Sequence, residues 1–361
     1  MNLKRWLLSE EEDVNSPSIL ITDGGVSTHL EAKLQHKNQE FEHQSLWSSS
    51  LLMTEEGRKT IQEGHDDWLK SGSDIITTVT YQCHYGVPGL EMVVTPTQMD
   101  QMIQDGISIA KECVAKTNPR KLVVASTGCY GAALADGSEY TGNYGDMDRT
   151  GLVDFHLQKV KRMMAQKPDG VAIETVPSLE ECHAIGEMLQ SSKLTTLKEN
   201  ESQIACWVSL ACQNGTQLND GSKLWDALEA LRSADDTTEA KYIHTIGINC
   251  CDSLHMPALL EIVTRHMATR GPKRGIVCYP NSGEEWDAAN DSWKEGTGCS
   301  SAHELVERLV DAVHVIESTW KKHTAGAMPK LILGGCCRTS TQAICELRVA
   351  VDNWEQKQAK Y

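Results

Sequence analysis

Three cysteines stand where a metal ion could be held: Cys250 closes the apolar run IGINC, and the adjacent pair Cys336–Cys337 follows LILGG. Thiolates suit soft or borderline cations such as Zn²⁺, and three protein ligands leave a fourth position for a substrate. Neighbouring side chains on a regular strand point to opposite faces. Cys336 and Cys337 can therefore share one ion only if the chain bends there, which Gly334–Gly335 would allow. Spacing alone leaves other readings open. Paired cysteines can be buried apolar residues or a strained vicinal disulfide, and this is no C-x-x-C pair of known specificity. Cys251, equally near, reads as a bystander turned toward the protein wall.

Two carboxylates occupy similar places. Asp23 follows ILIT and precedes Gly24–Gly25, where a ligand could approach the backbone closely, and Glu174 closes the run GVAIE. Acidic groups so placed can hold an amino group through charge-assisted hydrogen bonds, or serve as ordinary caps and loop residues. His29, His84, His156, His244 and His255 have no metal-ligand spacing to the cysteines and read as structural or surface residues.

These residues need a frame that brings distant segments together. Strand-like runs at 18–22, 74–80, 121–126, 170–174, 204–210, 242–249, 275–279 and 330–333 alternate with helix-like stretches at 51–70, 97–115, 152–165, 179–190, 222–233, 253–268 and 302–323. Apolar strands without strict in–out alternation suit a parallel sheet covered on both faces. Strand–helix units repeated in this way predict an α/β fold, a (β/α)8 TIM barrel, whose active site gathers at the C-terminal ends of its strands. The competing open sheet would carry G-x-G-x-x-G after the first strand, and here Gly24–Gly25 is followed by Val26-Ser27-Thr28-His29. A single catalytic domain over residues 17–351 accounts for the chain, with 129–150 as a loop over the barrel mouth.

Composition narrows the function further. The chain has 361 residues, a formal net charge of −16 and thirteen cysteines. That charge opposes nucleic acid as a partner and favours a cationic ligand. No apolar run approaches a membrane span, and residues 1–13 lack the core of a secretory signal. An odd cysteine total in a long chain without such a signal points to a reduced, cytoplasmic setting.

With these residues in view, the sequence resembles the homocysteine S-methyltransferases, in the branch that uses S-methylmethionine or S-adenosylmethionine. The likeness is carried by Asp23-Gly24-Gly25 with Thr28 and Leu30-Glu31, by Leu46-Trp47-Ser48, and by DIITTVTYQ at 74–82. It continues in YGAALADGSEYTGNYG at 130–145, AIETVP at 172–177, GINC at 247–250, YPNSGEEW at 279–286 and GGCCRT at 334–339. Two positions depart from the family pattern: Val79 stands where it reads Asn, and Cys129 where it reads Pro.

The resemblance implies that Cys250, Cys336 and Cys337 bind Zn²⁺, and that Asp23 and Glu174, with Gly24 and Gly25, meet the amino-acid part of homocysteine. It places Trp47 and Tyr81 near the methyl donor. A zinc-bound thiolate would then attack the methyl of a sulfonium compound, a cation that aromatic faces from Trp47, Tyr81, Tyr130 or Trp286 could hold. The partners expected are these small molecules, with no nucleic acid and no membrane. A monomer is expected, because nothing beyond the last helix, 341–359, could serve as a dimerisation arm. Alternatives within the architecture are a betaine-dependent enzyme or one acting on selenocysteine. From another class, a non-catalytic zinc or thiol-redox protein would carry the same cysteines. A cobalamin module is excluded, since the D-x-H at Asp154–His156 has Lys159 where its motif needs glycine.

Overall fold

In the computed structural model the chain is described at residues 1–9, 16–118, 120–191, 194, 204–236, 242–271, 274–283, 286–287, 292–293, 297–299 and 301–358. Each expected strand forms. They are β1 (Ile19–Ile21), β2 (Ile75–Thr77), β3 (Leu122–Gly128), β4 (Gly170–Val176), β5 (Ala205–Leu210), β6 (Thr245–Asp252), β7 (Gly275–Asn281) and β8 (Leu331–Leu333). All neighbours pair in parallel, and β8 lies between β7 and β1. The ring is completed between β1 and β2 by a parallel bridge from Thr22 to Ile75. There Asp74 N donates to Ile21 O at 2.6 Å, and Ile21 N donates to the Asp74 carboxylate at 2.9 Å. The fold is the nearly closed α/β barrel that the alternation predicts.

Two apolar layers hold it. The outer one lies between strands and helices, and its helices present stripes at three- and four-residue spacing, as in Ile61, His65, Trp68 and Leu69 of the helix Glu55–Lys70. The inner one is the barrel lumen, where Leu20, Ile75, Val124, Ala172, Trp207, Val277 and Ile332 meet. Its N-terminal end is plugged by α1 (Leu3–Leu8), whose Leu3, Trp6 and Leu7 join that lumen cluster. Trp6 Nε1 donates to Pro17 O at 2.7 Å, which anchors the plug to the segment entering β1. Leu3, Trp6 and Leu7 thus form a barrel stopper, a role that a short local run cannot announce. Among the described residues no helix is long and apolar enough to cross a membrane.

The segment 129–150 differs from the expected plain loop. It contains α2 (Tyr130–Leu134) and a 3-10 turn at Ser138–Tyr140 before α3 (Arg149–Ala165) begins. Cys129, buried, stands at the N-cap of α2 and accepts from Ala132 N at 3.4 Å.

One glycine shows how tightly the wall is closed. A Cβ on Gly247 of β6 would stand 1.8 Å from Val277 O of β7. Replacing Gly247 by Ala must push two core strands apart and is expected to cost about 3 kcal/mol of stability. Urea unfolding checks this; a midpoint unchanged from the parent would contradict the packing described.

Candidate metal centre and substrate cavity

The strand ends build one cavity, lined by Asp23, Gly24, Gly25, Trp47, Tyr81, Glu174, Cys250, Cys336 and Cys337, together with Thr77, Val79, Gln82, Ser126, Glu139, Tyr140, Thr175 and Tyr279. Asp23, Gly24, Gly25, Trp47, Tyr81, Glu174 and the three cysteines, far apart in sequence, are thereby brought to one place. Its floor is the polar rim of the lumen, and the segments 44–53 and 138–140 wall it.

Cys250 reaches the cavity through a bulge. Pairing of β6 with β7 shifts register between Asn249 and Asp252, and Cys250 takes a left-handed backbone with φ 51°. A matching shift interrupts β4 between Ile173 and Val176, where Thr175 has φ 64°. A β-branched residue pays heavily for that conformation, on the order of 1–3 kcal/mol, so something must impose it. The imposing group is Asn249. Its Oδ1 accepts from Thr175 N at 2.8 Å and its Nδ2 donates to Thr175 Oγ1 at 2.8 Å. The two bulges are clamped together, one aiming Glu174 and the other Cys250 inward. Asn249 is fully buried. Sequence reading passed over it, although it sits directly before the first cysteine.

Cys336 and Cys337 lie past the end of β8. The chain leaves the strand after Leu333, as the bend expected at Gly334–Gly335 requires, but neither glycine is there for a left-handed backbone; the left-handed residue is Arg338, at φ 64°. The glycines serve close packing instead: a Cβ on Gly334 would meet Thr22 Cγ2 at 2.3 Å, and one on Gly335 would meet Thr339 Cγ2 at 2.2 Å. Gly24 and Gly25 are crowded likewise, by Trp68 and Thr339 and by Cys336 O. Gly335 N donates to Asp23 O at 3.2 Å, and Gly25 N to Thr339 O at 3.1 Å. The loops after β1 and β8 are so knitted together that Asp23 and the cysteine pair move as one body.

The three sulfurs lie within 4.8 Å of one another. Ligands about 2.3 Å from a tetrahedral zinc would stand about 3.8 Å apart, so the cluster fits such an ion in size and in donor chemistry. The thiol of Cys336 is raised well above the ordinary range, first by its hydrogen bond with Cys250, with burial and the charge of Cys250 adding to it. Three neighbouring thiolates are tenable only with a cation among them. Cys251 faces away into the core, as expected.

Asp23 is buried, and burial pushes it up to about 7 even though Thr77 N donates to it at 2.7 Å, with the Thr77 and Thr22 hydroxyls donating as well. Glu174 is also pushed up to about 7 by burial, against hydrogen bonds from the Ser126 and Tyr279 hydroxyls. Two carboxyls poised in this way can accept an ammonium group, whose charge would compensate both.

The aromatic faces differ from expectation at one point. Trp47, at φ 41°, and Tyr81 line the cavity, and the Tyr81 ring lies flat enough on Gly128 that a Cβ there would stand 2.8 Å from Cζ. Tyr130 does not line it, because its ring packs edge-on against Tyr144 and Phe155. Tyr140 lines the cavity in its place. Trp286 and the Glu284–Glu285 part of its motif fall outside the described side chains. Of the named histidines, His29 pairs with Asp67 at 3.1 Å, His156 with Glu181 at 2.8 Å, and His244 accepts from Cys206 N at 3.1 Å. None of the five lines the cavity. Of the two departures from the family pattern, Val79 is in the lining and Cys129 is not.

A family model described as Homocysteine S-methyltransferase matches residues 20–351. A Bacillus subtilis (strain 168) protein, Homocysteine S-methyltransferase YbgG, is 30% identical over 341 residues, which is 91% of this chain and 93% of the relative. Homocysteine S-methyltransferase 1 of Arabidopsis thaliana is 31% identical over 339 residues, 90% of each chain. Among solved structures, the oxidized form of the homocysteine methyltransferase MmuM from Escherichia coli superposes with a TM-score of 0.71 at 25% identity, covering 97% of this chain and 100% of that one. The metallated form of MmuM shares the fold at 24% identity and a TM-score of 0.68, over 93% and 98% of the two chains.

The buried carboxyls predict a pH signature. Asp23 and Glu174 each hold a proton in the folded protein near pH 6 that the unfolded chain has released. The stability they contribute is complete below about pH 4 and is lost as pH rises toward 7. Asp23→Asn and Glu174→Gln should each flatten that decline in urea titrations between pH 4 and 7. A slope identical to the parent's in both variants would contradict the burial argument.

Proposed function

The chain belongs to the homocysteine S-methyltransferase family, and from that premise we propose that it moves a methyl group from a sulfonium donor, S-methylmethionine or S-adenosylmethionine, to the sulfur of L-homocysteine, with zinc held by Cys250, Cys336 and Cys337. The observation that carries the zinc assignment is the meeting of three sulfurs from β6 and the loop after β8 at the mouth of the barrel. Zinc held by three thiolates supplies a fourth, Lewis-acidic position at which a substrate thiol loses its proton.

The chain's own residues account for the rest. Asp23 and Glu174 receive the ammonium of homocysteine, and their fixed spacing from the cysteines sets how far the substrate sulfur reaches. Hydroxyls from Thr77, Thr22, Ser126 and Tyr279 hold the two carboxylates in place. Trp47, Tyr81 and Tyr140 offer faces on which a sulfonium can rest, since the negative face of an aromatic ring attracts a cation. In the transfer a new carbon–sulfur bond forms at homocysteine while the donor's methyl–sulfur bond breaks. The electron pair of the broken bond stays with the donor sulfur, which leaves as a neutral thioether. A leaving group of that kind needs no proton, so a cavity lined by no histidine among the described residues is consistent with the chemistry.

Purified Cys337→Ala is expected to lose bound zinc and to lose methionine formation by more than about 100-fold, beyond the loss typical when only a ligand's supporting partner is removed. Metal analysis and a methyl-transfer assay on the same sample test this. Full activity in a metal-free variant would contradict the proposal.

A further inference from the structure

Several polar side chains of the cavity have no role once the cysteines and the Asp23–Glu174 pair are assigned, and two of them keep an unpaired hydrogen-bonding atom among the described residues. The first is Gln82, 6% exposed, next to Tyr81. Its amide orientation follows from a buried relay behind it. Lys159, wholly buried, donates from Nζ to Gly128 O at 2.7 Å and contacts His84 Nδ1 at 3.0 Å. A lysine beside that nitrogen makes Nδ1 the acceptor, so the His84 proton sits on Nε2. His84 Nε2 lies 2.9 Å from the Gln82 amide and must donate to it, which requires the oxygen, Oε1, on that side. The amide nitrogen is thereby left with its hydrogens and has no hydrogen-bond partner among the described residues. The lysine that rules out a cobalamin motif thus has a structural reason to be here.

The second is Glu139, in the 3-10 turn that walls the cavity. Its Oε2 is buried without a hydrogen-bond partner among the described residues. It lies close enough to Tyr81 to act on the charge of that hydroxyl. Gln82 and Glu139 thus line one cavity with Tyr81, the first with an unpaired N–H donor and the second with an unpaired carboxylate oxygen. Burying the Glu139 oxygen without a partner costs roughly 1–3 kcal/mol, and more for a charge, which a ligand can relieve.

We propose that Gln82 and Glu139 form a second amino-acid receptor, in which the Gln82 amide binds the α-carboxylate and Glu139 the α-ammonium of the methyl donor. His84 and Lys159 are positioning residues that hold the amide the right way round. This rests on the sulfonium-donor reading above and sharpens it: the donor is selected as a zwitterionic amino acid, in addition to being a methylated sulfur. Four charged or polar readers in one cavity, Asp23 and Glu174 for the acceptor and Gln82 and Glu139 for the donor, then account for two amino-acid substrates.

Three donors separate the terms: S-methylmethionine, its analogue lacking the amino group (4-dimethylsulfoniobutanoate), and its analogue lacking the carboxylate (3-dimethylsulfoniopropylamine). Glu139→Gln should raise KM for the two donors that carry an ammonium by tenfold or more and leave the butanoate unchanged. Gln82→Met should do the same for the two that carry a carboxylate and leave the amine unchanged. Lys159→Met should repeat the Gln82 pattern with smaller amplitude, mainly in KM rather than kcat. Homocysteine affinity of the two cavity variants should stay near the parent's, while Gln82→Met should lose some thermal stability because the buried His84 Nε2–H is left without its acceptor. If each variant slows all three donors by one common factor, the residues are structural and the inference is overturned, while the sulfonium reading survives. If the parent enzyme takes no methyl from S-methylmethionine or S-adenosylmethionine, the donor reading itself fails and the receptor falls with it.

Discussion

The gathering of three cysteine sulfurs at one barrel mouth is the constraint around which the rest of the site is arranged. Sulfurs within 4.8 Å of one another cannot all ionise unless a cation lies among them, and they cannot stay together unless the backbone forces them to. The force comes from the closed ring of parallel strands. Cys250 is carried by β6, and Cys336 and Cys337 by the loop after β8, with β7 pairing both strands. Such a ring brings strand ends from opposite parts of the chain to one mouth, and here it collects a soft-metal donor set beside two buried carboxyls.

The same mouth concentrates backbone strain. Trp47, Thr175, Cys250 and Arg338 all take positive φ, and the first three line the cavity. Non-glycine residues hold that conformation only where surrounding structure over-determines it. The Asn249–Thr175 bracket, the bulges of β4 and β6 and the knitted loops after β1 and β8 are that structure. Ligand positions held this rigidly favour a site preorganised for its substrates, since little ordering remains to be done on binding.

Much of this was legible in the sequence, for definable reasons. The strands are apolar runs flanked by turn residues, and their alternation with helices is a local pattern repeated along the chain. The metal and carboxylate residues sit at the ends of those runs, and the barrel converts that position into proximity. What stayed hidden depends on contacts between distant segments. The stopper Leu3–Leu8 is defined by the lumen it fills, and the role of Asn249 by Thr175 across the sheet. Gly334–Gly335 read as a place where the chain can bend, and its close packing against the loop after β1 adds a second reason that only the fold shows. Tyr130 and Tyr140 have equal aromatic character, and only the fold of 129–150 decides that the second reaches the cavity and the first packs on Phe155. Glu139 and Gln82 lie inside two of the motifs that carry the resemblance, but their unpaired atoms are visible only once every neighbour is placed.

Zinc K-edge X-ray absorption on the loaded protein, before and after saturation with L-homocysteine, tests the central claim most directly. The account predicts three sulfur ligands at about 2.3 Å plus one lighter ligand in the resting protein, changing to four sulfurs when homocysteine binds. A sulfur count that stays the same on adding homocysteine, or a protein that retains no zinc with its three cysteines reduced, would contradict it.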